Sequence, residues 1–349
     1  MQPKPPVSSA ISYELSAPLQ ELREKILAGE RAALAQAITL SESSRADHRR
    51  QAENLIQSLL SHTGQSIRIG ISGPPGTGKS TFINRFGLEI LQQGHRLAVL
   101  AVDPSSQRDS GAILADKTRM LELSQHPSSF IRPSPSGKNL GGVARYTQEA
   151  ILLCEAAGYD VVMVETVGVG QSETMVAEMT DLFLLLLPPG GGDELQGMKR
   201  GILELADIIL VNKADGNLLP FAEQTADEFL RAINLFYPRY ADWKTDVALC
   251  SAMTGKGLNE VWQKIQQFVG VMKKAGGWQQ RRSRQREYWL EKELQEQLLA
   301  IFQQEPSFSG LVKQIHQQVG EGGVLPSLAA RQTIAAVLPP LLTTKKLPK

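Results

Sequence analysis

Gly73, Pro74, Pro75, Gly76, Thr77, Gly78, Lys79, Ser80 and Thr81 follow one another with the spacing G-x-x-x-x-G-K-[ST]. Glycines at these positions let successive backbone N–H groups turn inward around a phosphate without Cβ clashes. A helix starting at the lysine points its positive dipole end at the same anion. Lys79 would then reach the β- and γ-phosphates, and the Ser80 hydroxyl would ligate Mg²⁺. The preceding residues alternate Ile67, Ile69 and Ile71 with small or polar partners, as a buried strand does. The expectation is a nucleoside triphosphate site on a strand–loop–helix unit.

Three carboxylates are candidates for such a site. Asp103 follows the apolar run 97–102 and is placed to hold Mg²⁺ directly or through water, although an Asp-Pro turn uses the same residue type. Asp116 reads as a helix N-cap or as a metal-site carboxylate. Glu165 follows the apolar run 161–164 and precedes Thr166, Val167 and Gly168. A strand ending in a carboxylate, then Thr-x-Gly, is how a nucleotide switch reads a γ-phosphate, the Gly168 N–H bonding the phosphate when it is present. Glutamate in place of aspartate extends the reach and fits a water-mediated or base-like role. Lys79, Glu165 and Asp103 are therefore the catalytic candidates. Gln171 is a candidate for orienting the attacking water or an ordinary polar loop residue.

The base is read farther along. Asn212, Lys213 and Asp215 form N-K-x-D directly after the apolar run 208–211. Asp215 would accept from guanine N1–H and the 2-amino group, which adenine cannot supply, while Asn212 and Lys213 brace the loop. A site built to bond a particular group rejects an analogue lacking it by roughly 10⁴-fold. Ser251, Ala252 and Met253 follow the last apolar run and match the segment whose backbone N–H meets guanine O6. Order and strand context together select GTP and GDP.

Positioning these residues takes a parallel sheet. Apolar strands are expected at 97–102, 130–131, 161–164, 182–187, 208–211 and 247–249, with helices between them at 79–91, 143–157, 221–234 and 258–269. Nearly continuous apolar strands alternating with helices imply an α/β domain covered on both faces, with ligands at the carboxyl strand ends. That P-loop domain is assigned residues 63–275. Residues 1–62 form a proline-rich tail, expected to be disordered to about Pro18, and helices with the stripe Leu19, Leu22, Ile26, Leu27, Leu34, Ala37 and Ile38. These are expected to pack on the central domain. Residues 276–349 form a helical extension with Leu290, Leu294, Leu298 and Ile301 on one face. Its basic cluster, Arg281, Arg282, Arg284 and Arg286, is expected to be a solvated helix face.

The 349 residues carry a formal net charge of +1, which argues against nucleic acid or an anionic membrane as a required partner. The two cysteines, Cys154 and Cys250, lie in apolar runs and read as buried small hydrophobes. No run is long enough to span a membrane, and the first residues show no basic-then-apolar leader. The expectation is a soluble cytoplasmic protein.

Several blocks resemble one family: GPPGTGKST, AVDPSS, DKTRM, CEAAGYDVVMVETVGVGQSE, GGGDELQGMKRGILELAD and NKAD. They are similar to the MeaB/ArgK-type GTPases of the SIMIBI class, chaperones of adenosylcobalamin-dependent methylmalonyl-CoA mutase. The resemblance implies GTP hydrolysis coupled to gating cofactor loading and to protecting or reactivating that mutase. It implies that Ser80, Asp103, Asp116 and Glu165 surround Mg²⁺. Residues 190–197, with Asp193 and Glu194, would be an additional switch sensing the mutase, and the C-terminal helices would form a homodimer. Ala112 and Ala115 depart from the family's usual Ser and Gly in the first switch, and Pro188 and Pro189 precede the extra switch. A metal-insertion GTPase of the hydrogenase- or urease-maturation kind would need Cys/His clusters, whereas His48, His62, His95, His126 and His316 are scattered. A kinase linked to lysine, arginine and ornithine transport would need an adenine site, which N-K-x-D opposes.

Overall fold

The computed structural model describes residues 15–102, 120–133, 140–166, 172–190, 200–304 and 306–344. The strands are β1 (Ile67–Ser72), β2 (Leu97–Val102), β3 (Ser129–Arg132), β4 (Val161–Thr166), β5 (Leu182–Leu187), β6 (Ile208–Val211) and β7 (Asp246–Leu249). The helices are α1 (Ala17–Leu27), α2 (Arg31–Ser41), α3 (Ala46–Leu59), α4 (Lys79–Gln92), α5 (Leu121–Gln125), α6 (Leu140–Ala156) and α7 (Ser172–Ala177). They continue with α8 (Arg200–Leu205), α9 (Leu219–Ile233), α10 (Leu258–Lys274), α11 (Gly277–Gln304), α12 (Pro306–Gly320) and α13 (Pro326–Thr344). The chain forms two compact units, the first ending at Arg282 and the second starting at Ser283.

The first unit is built on a seven-stranded sheet in the order β3-β2-β4-β1-β5-β6-β7, with every pairing parallel. Strands β2, β4, β5 and β6 are buried along their whole length, which is why they read as unbroken apolar runs rather than alternating ones. The chain leaves β1 toward β2 on one side and later enters β5 on the other, so the order reverses at β1. That reversal opens a crevice at the carboxyl ends of the neighbouring strands. On one face Ile69 and Ile71 of β1 pack with Phe82 and Phe86 of α4 and with Trp262 and Phe268 of α10 in one apolar cluster. Cys154 and Cys250 are free and buried, as expected, and burial pushes the Cys250 thiol up to about 12.

The N-terminal helices pack on α6, as their apolar stripe requires, with Leu19, Leu22, Ile26, Leu34, Ala37 and Ile38 buried and Leu27 half-buried. Arg49 on α3 holds Glu149 on α6 through both carboxylate oxygens at 2.9 and 3.0 Å. The first described helix begins at Ala17, with Pro18 in its first turn, where a missing N–H costs nothing. The expected disordered tail otherwise lies outside the described residues.

The basic cluster departs from expectation. Arg284 and Arg286 are exposed, but Arg281 and Arg282 are buried at the amino-terminal edge of the sheet. Arg282 donates from Nε and Nη2 to Asp181 at 2.7 and 2.6 Å, and to the carbonyls of Gly64 and Ser66 at 2.5 and 2.7 Å. Asp181 in turn accepts the Arg68 N–H at 2.9 Å. Beside it Glu155 accepts from Arg68 Nε and Nη2 and from the Gly64 N–H, each at 2.8 Å, and from Ser66 Oγ. Burial pushes the Glu155 carboxyl up, yet the Arg68 guanidinium and these hydrogen bonds outweigh it and hold its pKa below the usual carboxylate range. Its contribution to stability is thus present at neutral pH and is lost only as pH falls through that lowered value.

The second unit comprises the remainder of α11 with α12 and α13, the latter two packed on each other. Leu290, Leu294, Leu298 and Ile301 are exposed in it. Among the described residues no helix is long and apolar enough to cross a membrane.

The Arg282–Asp181 pair yields a stability prediction. Arg282→Met leaves a fully buried carboxylate without its partner and is expected to cost about 3–5 kcal/mol in chemical denaturation of the full chain. A loss below about 1 kcal/mol, the range of a surface pair, contradicts the burial described here.

Candidate functional site

The loop between β1 and α4 holds Gly73, Pro74, Pro75, Gly76, Thr77 and Gly78, and Lys79, Ser80 and Thr81 form the first turn of α4. Gly73 is forced by its neighbour: a Cβ there would lie 2.2 Å from the Leu186 carbonyl oxygen of β5. Inside the loop Thr77 Oγ1 donates to Pro74 O at 3.0 Å. The Lys79 ammonium folds over the loop and donates to Gly73 O at 2.6 Å and Pro74 O at 3.2 Å. Burial lowers the Lys79 pKa, while the carboxylates of Glu165 and Glu173 act in the opposite sense.

Glu165 sits inside β4 rather than in the loop after it. Its backbone lies opposite Ile71 of β1 and Ala101 of β2, and the strand runs on through Thr166 opposite Val102. The polar side chain suggested an earlier strand end; pairing on both sides carries the strand two residues farther and leaves Glu165 only 4% exposed. Thr166 Oγ1 donates to Ser72 Oγ at 2.8 Å, and both residues are fully buried. This bond ties the strand that delivers the phosphate loop to the strand that delivers Glu165. Sequence reasoning missed it, and missed Glu173, which reads as a polar helix start but is buried in the first turn of α7.

The residues expected to read the base follow β6 and β7. Asn212 is buried, and its two side-chain ends serve two different loops. Nδ2 donates to Thr77 O of the phosphate loop at 2.8 Å, and Oδ1 accepts the Ala252 N–H at 3.0 Å. Lys213 adopts φ 59°, a left-handed conformation uncommon outside glycine, which turns the chain so that Ala214 N–H meets Cys250 O at 3.0 Å. Ser251 Oγ donates to Asp215 Oδ2 and also accepts the Thr254 N–H at 3.1 Å. Asp215 is thereby oriented by the β7 loop, and Met253 stands exposed at its tip. The Ala252 N–H, expected to meet guanine O6, is engaged by Asn212.

The carboxyl ends of β1, β4, β6 and β7 thus carry the phosphate loop, Glu165, Asn212–Asp215 and Ser251–Met253 respectively. Asp103, Asp116, Gly168 and Gln171 lie outside the described residues, as do Asp193 and Glu194. Ser80 and Glu165 remain as hard oxygen donors near the phosphate loop. Among the described residues no group of three or more His, Cys, Asp and Glu side chains is placed to hold a metal.

Residues 34–307 match the family model described as methylmalonyl Co-A mutase-associated GTPase MeaB. A putative GTPase of Caulobacter vibrioides is 51% identical over 318 residues, 91% of this chain and 97% of that protein. The mitochondrial methylmalonic aciduria type A homolog of Mus musculus is 45% identical, covering 87% of this chain and 76% of that protein. Among solved structures, one titled as a LAO/AO transport system kinase superposes with a TM-score of 0.76 at 36% identity, over 93% of this chain and 98% of that one.

The Asn212 bridge is directly testable. Asn212→Ala strands Thr77 O and the Ala252 N–H, each worth about 1–3 kcal/mol when buried and unpaired. Titration with a fluorescent nucleotide is expected to show affinity reduced on the order of tenfold or more. Wild-type affinity in that variant contradicts the bridging role.

Proposed function

Because this chain belongs to the MeaB family of GTPases, we propose that it is a GTP-dependent chaperone of adenosylcobalamin-dependent methylmalonyl-CoA mutase. GTP hydrolysis is its reaction. In this reading it gates cofactor loading and protects or reactivates the mutase, with residues 190–197 sensing the partner. The observation carrying the partner assignment is the match to a mutase-associated GTPase family along residues 34–307, supported by the mouse relative's name.

Residues 73–81 bind the triphosphate, with Lys79 leaving the carbonyls of Gly73 and Pro74 for the phosphates. Ser80, Glu165, Asp103 and Asp116 hold Mg²⁺ or its waters; a hydroxyl and carboxylates are the oxygen donors that ion takes. Mg²⁺, when bound, neutralises charge on the β- and γ-phosphates. Glu165, fixed in β4 and buried, orients or activates water, assisted by Asp103, and Gly168 reports the γ-phosphate. Asp215, held by Ser251, reads the guanine edge; Asn212, Lys213, Ala252 and Met253 complete the base site. Leu290, Leu294, Leu298 and Ile301 provide the face for a homodimer. The protein works in the cytoplasm and needs neither nucleic acid nor membrane.

The transport-kinase title of the similar structure belongs to that protein. Here the N-K-x-D residues 212–215 favour guanine, from whose N1–H and 2-amino group Asp215 can accept, over adenine.

The test uses the full chain and a purified adenosylcobalamin-dependent methylmalonyl-CoA mutase in sedimentation. Association is expected to differ on the order of tenfold between a non-hydrolysable GTP analogue and GDP, and the mutase is expected to accelerate GTP turnover. No association in either nucleotide state overturns the assignment.

A further inference from the structure

Where β1 turns into the phosphate loop, it is held differently on its two sides. Toward β5 the backbone register reaches the end of the strand, with Ser72 opposite Leu185, and Gly73 follows close against the Leu186 carbonyl. Toward β4 the register runs from Ile67 opposite Val161 to Ile71 opposite Glu165. At the next position Thr166 is paired with Val102 of β2. The contact between β1 and β4 is carried to this level by a side-chain bond, Thr166 Oγ1 donating to Ser72 Oγ at 2.8 Å. Both residues are fully buried, so water cannot replace either partner.

Alternation along β4 puts Glu165 on the same face as Val161 and Met163, which pack with Phe82 and Phe86 of α4. Ser72 and Thr166 lie on the other face, with Gly70, where a Cβ would be 2.9 Å from Val176 of α7. Their bond therefore acts through the backbone rather than by touching a bound phosphate. Ser72 is joined directly to Gly73, whose carbonyl accepts from the Lys79 ammonium at 2.6 Å. Thr166 is joined directly to Glu165. One hydrogen bond thus links the strand end that becomes the phosphate loop to the strand end that carries the carboxylate.

We propose that Ser72 and Thr166 are a positioning pair for GTP hydrolysis: their buried hydrogen bond sets the spacing of Glu165 from the phosphate loop. This rests on the reading of residues 73–81 as the triphosphate site and of Glu165 as the group that orients or activates water.

Thr166→Val keeps the shape of the side chain but leaves the Ser72 hydroxyl buried and unpaired. Adding Ser72→Ala removes both polar groups, which is nearly neutral for stability. Thr166→Ser keeps the hydroxyl. Chemical denaturation of the full chain is measured beside single-turnover and steady-state GTP hydrolysis, with rates expressed per GDP bound. Thr166→Val is expected to lose stability, and to lose kcat on the order of tenfold at a KM near the wild type's. The double variant is expected to regain stability but not kcat, and Thr166→Ser to keep a kcat near the wild type's. A kcat that returns together with stability in the double variant reports packing alone and overturns the proposal, as does a wild-type rate per bound nucleotide in Thr166→Val. If the double variant binds no nucleotide, the rate of Thr166→Val decides. Failure of the wild-type chain to turn over GTP, or a wild-type kcat in Glu165→Gln, would instead overturn the reading of the site.

Discussion

A single side-chain amide joins the parts of the proposed nucleotide site. Asn212 reaches from the end of β6 to the phosphate loop at Thr77 O and to the β7 loop at the Ala252 N–H. Each of those backbone groups is buried and would be costly unpaired, so base-reading and phosphate-reading segments are fixed relative to each other. The other contacts elaborate that constraint. Ser251 orients Asp215, Lys213 takes a left-handed turn, and Gly73 lets the loop pass against the Leu186 carbonyl. A donor and an acceptor on one short, stiff side chain are what the position needs, and a side chain lacking either leaves one loop untethered.

The opposite edge of the sheet is organised by charge. Arg282, Asp181, Arg68 and Glu155 interlock around the start of β1, and Arg281 with Asp207 does the same at β5 and β6. Buried ion pairs contribute little net stability compared with apolar packing, but losing one partner is severe. Such an arrangement penalises displacement of the elements it joins. The carboxyl edge, where ligands are exchanged, is held instead by hydrogen bonds between loops and strand ends. The two edges meet through β1, whose start is clasped by Arg282 and whose end becomes the phosphate loop.

Much of this was legible in the chain. G-x-x-x-x-G-K-S and N-K-x-D announce their geometry because each residue type answers a local requirement of backbone or phosphate. Fully buried strands announce themselves as apolar runs. Arg281 and Arg282 did not, since four arginines within six residues look solvated and their partners lie far off in sequence, among them Asp207, Ala177 and Asp181. Glu165 inside a strand and Glu173 inside a buried turn were concealed for the same reason: polarity predicts exposure unless long-range pairing is known. That Asn212 also engages the Ala252 N–H was not legible, because sequence carries no record of which side chain reaches a given amide.

The claim on which the account stands is that the Asn212-linked loops form a guanine site. Displacement of labelled GDP from the full chain by unlabelled GTP and by ATP measures it most directly. The account predicts that GTP displaces the label stoichiometrically while ATP fails even at roughly a thousandfold higher concentration. Equal displacement by ATP and GTP would contradict it.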